Sequence, residues 1–112
     1  MTAAQYSLST HLDHLKQFIK KLEIYQTMVD KKRFLTDPMA QDAILKALEQ
    51  VTEAIMTIAT MMIAQHGFRK AENNEDLFVI LAEEKVYPTA FAEQLKGLGG
   101  FRNILVHDYI HI

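Results

Sequence analysis

Four polar side chains near the end of the chain have the types and spacing to do chemistry. They are Arg102, Asn103, His107 and Tyr109, within Gly100-Phe101-Arg102-Asn103-Ile104-Leu105-Val106-His107-Asp108-Tyr109. A guanidinium stays charged at any working pH, and an imidazole changes protonation near neutrality. On one continuous helix the inward line would run Phe91, Leu95, Leu98, Arg102, Leu105, Tyr109. Arg102 then stands where a core residue is expected, and a buried guanidinium is costly unless it is paired or faces a cleft. Tyr109 returns to the same side two turns later. His107 lies about 140° round from Arg102, toward the face of Asn103, at ~100° of rotation per residue. One helix therefore does not focus Arg102 and His107 on one atom. Two copies related by a twofold axis can, each supplying part of a shared groove, so a homodimer is expected. A plain structural account stands beside this one. Arg102 could bridge to Glu49 or Glu53 on the second helix, and His107 could only complement a helix dipole.

Other polar clusters offer less. His11 and His14, three residues apart, are compatible with a shared metal, but an inward line through Leu12 and Leu15 leaves them outside. His111, four residues past His107, could join it. No His-Glu-x-x-His motif accompanies either pair, so no metal is expected. Gly97, Gly99 and Gly100 lack the following lysine and preceding strand of a phosphate loop, and no cofactor is expected. Lys31-Lys32-Arg33 could touch phosphate. At the end of a first helix these cations would equally complement its dipole.

The elements that must position these residues follow from helical periodicity. Leu8, Leu12, Leu15, Ile19 with Phe18, Leu22 and Tyr25 mark a first helix, capped by Ser9 or Thr10 and ending near Lys32. Residues 33–37 read as a turn. Asp37-Pro38 is a helix start, with Asp as N-cap and Pro at the first helical position. A second helix runs to about Gln65 with Ile44, Leu48, Val51, Ile55, Ile58 and Met62 inward, and Gly67 stops it. Asn73 or Asn74 caps a third helix, with Leu77 and Leu81 inward. After a loop over 85–88, Thr89 caps a fourth, which Gly97, Gly99 and Gly100 weaken midway. No long stretch alternates with period two. The expectation is an all-α, antiparallel bundle of four to five helices in one domain over residues 1–112.

Composition sets the outer limits. The 112 residues are 49% hydrophobic and 23% charged, which fits a globular domain and excludes disorder. The absence of cysteine excludes disulfides, thiolate catalysis and thiolate-bound zinc, and a reducing cytoplasm fits it. The start Met1-Thr2-Ala3-Ala4-Gln5-Tyr6 has no basic-then-apolar pattern of a signal peptide. The most apolar stretch, 54–64, is too short to span a bilayer. Net charge is −2; residues 1–37 carry +2 (six basic, four acidic) and the rest −4 (six basic, ten acidic). A dedicated DNA-binding domain is usually basic overall, so this balance argues against one.

The Arg102-x4-His107-x-Tyr109 segment resembles the signature of HepT-like toxins, which belong to the HEPN group (higher eukaryotes and prokaryotes nucleotide-binding domains). The resemblance extends back through LKALEQVTEAIMTI at 45–58 and LAEEKVYPTAFAEQLKGL at 81–98, and covers roughly residues 8–112. It implies a metal-independent endoribonuclease. His107 would act as general acid or base on the ribose 2′-hydroxyl or the leaving oxygen. Arg102 would stabilise charge on the phosphoryl oxygens, and Asn103 would orient His107 or bind phosphate. The resemblance also implies a partner, a MntA-like nucleotidyltransferase antitoxin, which in some pairs transfers AMP to the signature tyrosine, here Tyr109. Such proteins usually continue for another helix after the signature, whereas this sequence stops at Ile112. Related helical proteins are non-catalytic substrate-binding subunits of nucleotidyltransferases, and there Arg102 and His107 would bind a nucleotide without cleaving RNA.

Overall fold

In the computed structural model the described residues are 3–101, with side chains from 7 onward. They form five helices and no strand: α1 (Ala3–Met28), α2 (Lys31–Thr36), α3 (Pro38–His66), α4 (Asn74–Glu83) and α5 (Thr89–Gln94). A further helical turn occupies 98–101. The all-α expectation holds. Arg102, Asn103, His107, Tyr109 and His111 lie outside the described residues.

The polar punctuation of the sequence sets most boundaries. The Asp37 side chain accepts from the backbone N–H groups of Met39 and Ala40 at 3.0 and 3.4 Å, with Pro38 at the start of α3. This supplies acceptors for donors that a helix cannot satisfy internally. Gly67 closes α3 in the left-handed region, at φ 64°. Asn73 caps α4 by accepting from Asp76 N–H at 2.9 Å.

Four expectations need correction. First, α1 begins at Ala3, ahead of Ser9 and Thr10, and ends at Met28, short of Lys32. It ends there because Asp30 caps a new helix, accepting from Arg33 N–H at 2.7 Å. The expected turn at 33–37 is therefore mostly α2, and Lys31, Lys32 and Arg33 sit at its start. Arg33 nevertheless reaches back to the Met28 carbonyl at 3.1 Å. Second, Leu12 and Ile19 are 40% and 38% exposed. The half-buried line of α1 runs instead through Leu8, His11, Leu15, Phe18, Leu22 and Tyr25. Third, Phe91 is 45% exposed, edge-on to Tyr87 with centroids 5.0 Å apart. Fourth, Pro88 rather than Thr89 holds the N-cap position of α5, with no side-chain cap.

Helix α3 is central: α1, α2 and α4 all pack on it, and α5 packs on α4. It is long and apolar enough by composition to cross a bilayer, but its partners here are these helices. Lys21 of α1 hydrogen-bonds Gln50 of α3, while His14 shares a groove with Thr57, so the two helices run antiparallel. A buried cluster joins Met56, Ala59 and Ile63 of α3 to Leu77, Phe78, Ile80 and Leu81 of α4, with Leu95 and Leu98 packed against it. The Tyr87 hydroxyl donates to the Phe78 carbonyl at 2.8 Å, and burial pushes its phenol pKa up.

Candidate active site

The structure describes the approach to the signature. Helix α5 gives way at Leu95, the chain turns through 95–97, and helix resumes at Leu98. The expected continuous helix is thus interrupted between Phe91 and Leu98, with Gly97 in the break and Gly99 and Gly100 in the helical turn that follows. Gly97 takes φ +90°, a conformation that costs other L-residues steric strain. The Phe101 N–H then donates to the Gly97 carbonyl at 2.9 Å, closing a helical turn directly before Arg102.

That turn is held by α4. Glu75 accepts from Gly97 N–H through Oε2 and from Gly99 N–H through Oε1, both at 2.9 Å. Gly99 is buried and packs so close that a Cβ built on it would meet the Asn74 Cβ at 2.8 Å. Sequence reading missed Glu75. Its place in the first turn of α4 marks it only as a favourable charge for that helix dipole. No local pattern shows that it reaches residues 22 and 24 positions away.

A second surface lies between α1 and α3, an open groove of about 310 Å³ bordered by His11, His14, Phe18, Lys46, Glu49 and Glu53 among others. The imidazoles stand 6.1 Å apart and tilted, and His11 Nδ1–H donates to the Ser7 carbonyl at 2.8 Å. Among the described residues no group of three or more potential metal ligands is gathered. Glu49, one carboxylate considered for Arg102, lies 3.7 Å from Lys46 Nζ. Between α3 and α4, Arg69 makes a two-pronged pair with Asp76 at 2.6 and 2.8 Å and bonds to Glu83 at 3.1 Å. The Arg69 guanidinium, with the Glu72 N–H, holds the Asp76 carboxyl down to about 2. This network braces the α3–α4 connection.

The ribonuclease HepT-like family model matches residues 10–112, a span that includes all four signature residues. The chain belongs to that family. A Shewanella oneidensis HepT-like relative, an mRNA nuclease, is 30% identical over 95 residues, covering 85% of this chain and 70% of its own length. The Shewanella oneidensis HEPN toxin solved as a tri-AMPylated protein with its MNT antitoxin superposes with TM-score 0.80 at 27% identity. That match covers 97% of this chain and 78% of the toxin. YutE, a cytosolic protein from Bacillus subtilis, shares the fold with TM-score 0.77 at 23% identity, over 93% of this chain and 70% of its own.

Proposed function

We propose that this chain is the toxin of a toxin–antitoxin pair, a metal-independent endoribonuclease acting in a groove shared by two copies. The observation that carries it is the family match over 10–112, which spans an intact Arg-x4-His-x-Tyr signature.

His107 takes the proton of a ribose 2′-hydroxyl, the 2′-oxygen attacks the adjacent phosphorus, and the bond to the 5′-oxygen breaks. The products are a 2′,3′-cyclic phosphate and a 5′-hydroxyl that receives a proton. An imidazole suits both transfers because its ordinary pKa lies near working pH. Arg102 stabilises charge on the non-bridging oxygens, and Asn103 orients His107 or bonds phosphate. The need for a 2′-hydroxyl confines the reaction to RNA.

The partner is a nucleotidyltransferase antitoxin of the cytoplasm. It neutralises the toxin by AMP transfer: the Tyr109 oxygen attacks the α-phosphorus of ATP, releasing pyrophosphate. The Shewanella oneidensis complex, with its AMPylated toxin, supports this assignment. An exposed groove of about 480 Å³ between α4 and α5, lined by Phe78, Val79, Ala92 and Gly100, gives a partner or second copy apolar surface beside the turn that precedes Arg102.

Cleavage of a labelled RNA by the wild-type chain, Arg102→Ala and His107→Ala tests the assignment. Each variant should lose at least about 100-fold in rate while staying folded and dimeric by light scattering. A wild-type chain that binds RNA or nucleotide without cleaving it would instead make this a non-catalytic binding subunit.

A further inference from the structure

The segment that leads into the signature has no cap of its own. Gly97, directly before the helical turn at 98–101, offers no side-chain acceptor. The first N–H groups of a helix have no partner within it. Glu75 fills that role from α4, with one carboxylate oxygen on Gly97 N–H and the other on Gly99 N–H, both at 2.9 Å. An ionised acceptor on two backbone donors makes strong, directional bonds and complements the positive end of the helix dipole. The approach is close enough that only glycine fits at position 99, against Asn74 and the Glu75 carboxylate itself. The anchor is rigid, because α4 contributes the buried Leu77, Phe78, Ile80 and Leu81 to the core. Two hydrogen bonds and one tight backbone contact therefore fix where 98–101 starts relative to the core. Arg102 is the next residue.

We propose that Glu75 is a positioning residue for the ribonuclease site, clamping the start of the segment that delivers Arg102 and His107. The proposal rests on the reading of those two residues as the catalytic pair. In this role Glu75 acts through the backbone of Gly97 and Gly99. Catalytic groups misplaced by about 1 Å lose on the order of 100-fold in rate, so a clamp on their entry point governs turnover more than binding.

The experiment compares wild type, Glu75→Ala, Glu75→Gln and His107→Ala in two measurements, at a temperature where circular dichroism shows each variant folded. Steady-state cleavage of a fluorescent oligoribonucleotide should show kcat of Glu75→Ala reduced about 10- to 100-fold with little change in KM. Glu75→Gln keeps one acceptor and should fall between it and wild type. Amide exchange on ¹⁵N-labelled protein should show Gly97 and Gly99 exchanging faster in Glu75→Ala while Ile80, in the core, stays protected. A kcat for Glu75→Ala equal to wild type, or a loss carried by KM alone, overturns the proposal. Unchanged exchange at Gly97 and Gly99 overturns it as well, and Glu75→Gln supplies the same readouts if Glu75→Ala does not fold. If His107→Ala cleaves as well as wild type, the catalytic reading fails and takes the positioning role with it. Exchange at Gly97 and Gly99 then still shows whether the clamp exists, so the two failures are distinguishable.

Discussion

The backbone of Gly99 sits against Asn74 with no room for a side chain: a Cβ at position 99 would lie 2.8 Å from the Asn74 Cβ. Gly99→Ala should therefore cost about 1–3 kcal/mol, the usual range for forcing extra carbon into a packed site. Asn74→Gly in the same chain removes the atom it strikes. The double variant should lose less stability than the two single changes summed, a coupling that urea denaturation of all four proteins measures. Strict additivity would show that the approach at Gly99 is slack.

Arg69 and Asp76 predict a specific acid response. The Asp76 carboxyl is lowered to about 2 in the folded protein from an ordinary value near ~3.9 in the unfolded chain. A depressed folded pKa means that its stabilising contribution is complete above about pH 4 and disappears as pH falls through about 2. Thermal melts between pH 5 and 2 should show wild type losing stability more steeply than Asp76→Asn below pH 4, with parallel curves above it. Equal slopes throughout would mean that the Arg69 pair contributes nothing to folding.

Ile80 is fully buried among α3 and α4 residues. Ile80→Ala should cost about 2–5 kcal/mol, and Ile80→Val about 0.5–1.5 kcal/mol. Calorimetric or denaturant unfolding checks both. A smaller loss for Ile80→Ala would show that the core collapses around the missing carbons.

Tyr109 carries the prediction about control. Wild type co-expressed with its nucleotidyltransferase should gain AMP-sized mass increments, at least one mapping to Tyr109, and lose RNA cleavage. Tyr109→Phe should keep its cleavage under the same co-expression. Increments that map elsewhere, or none at all, would leave simple binding by the antitoxin as the means of neutralisation.

Legibility in the sequence followed the range of the physical signal. Asp37-Pro38 and Gly67 act on their own neighbours, so residue type alone marks both ends of α3; the Asn73-Asn74 pair marks the start of α4, and the structure gives the cap to Asn73. The inward line expected for α1 includes Leu12 and Ile19, which the structure leaves exposed. The helix packs on α3 without fully burying any described side chain of its own, so half-exposed Leu12 and Ile19 carry no penalty large enough to rotate it, and His11 takes an inward place. The early end of α1 depends on Asp30 capping α2 in competition with continued helix. The break at 95–97 was readable only as weakness, from the glycines. Its form depends on Glu75, an interaction across 22 and 24 residues that no local periodicity encodes. The Arg69 network, spanning seven and fourteen residues, was invisible for the same reason. Arg102, Asn103, His107 and Tyr109 are singled out by residue type and spacing together with the family resemblance; they lie outside the described residues, and the family match spans their positions.

The most direct test of the central claim is the chemistry of the RNA ends made in the presence of EDTA. Purified wild-type chain, incubated with a single-stranded oligoribonucleotide and excess chelator, should cleave it. Mass spectrometry should find 2′,3′-cyclic phosphate, or its hydrolysis product, on one fragment and a 5′-hydroxyl on the other, with no products from His107→Ala. Loss of cleavage on chelation that a divalent metal restores, or fragments carrying 3′-hydroxyl and 5′-phosphate ends, would contradict a metal-independent attack by the 2′-hydroxyl through His107 and Arg102.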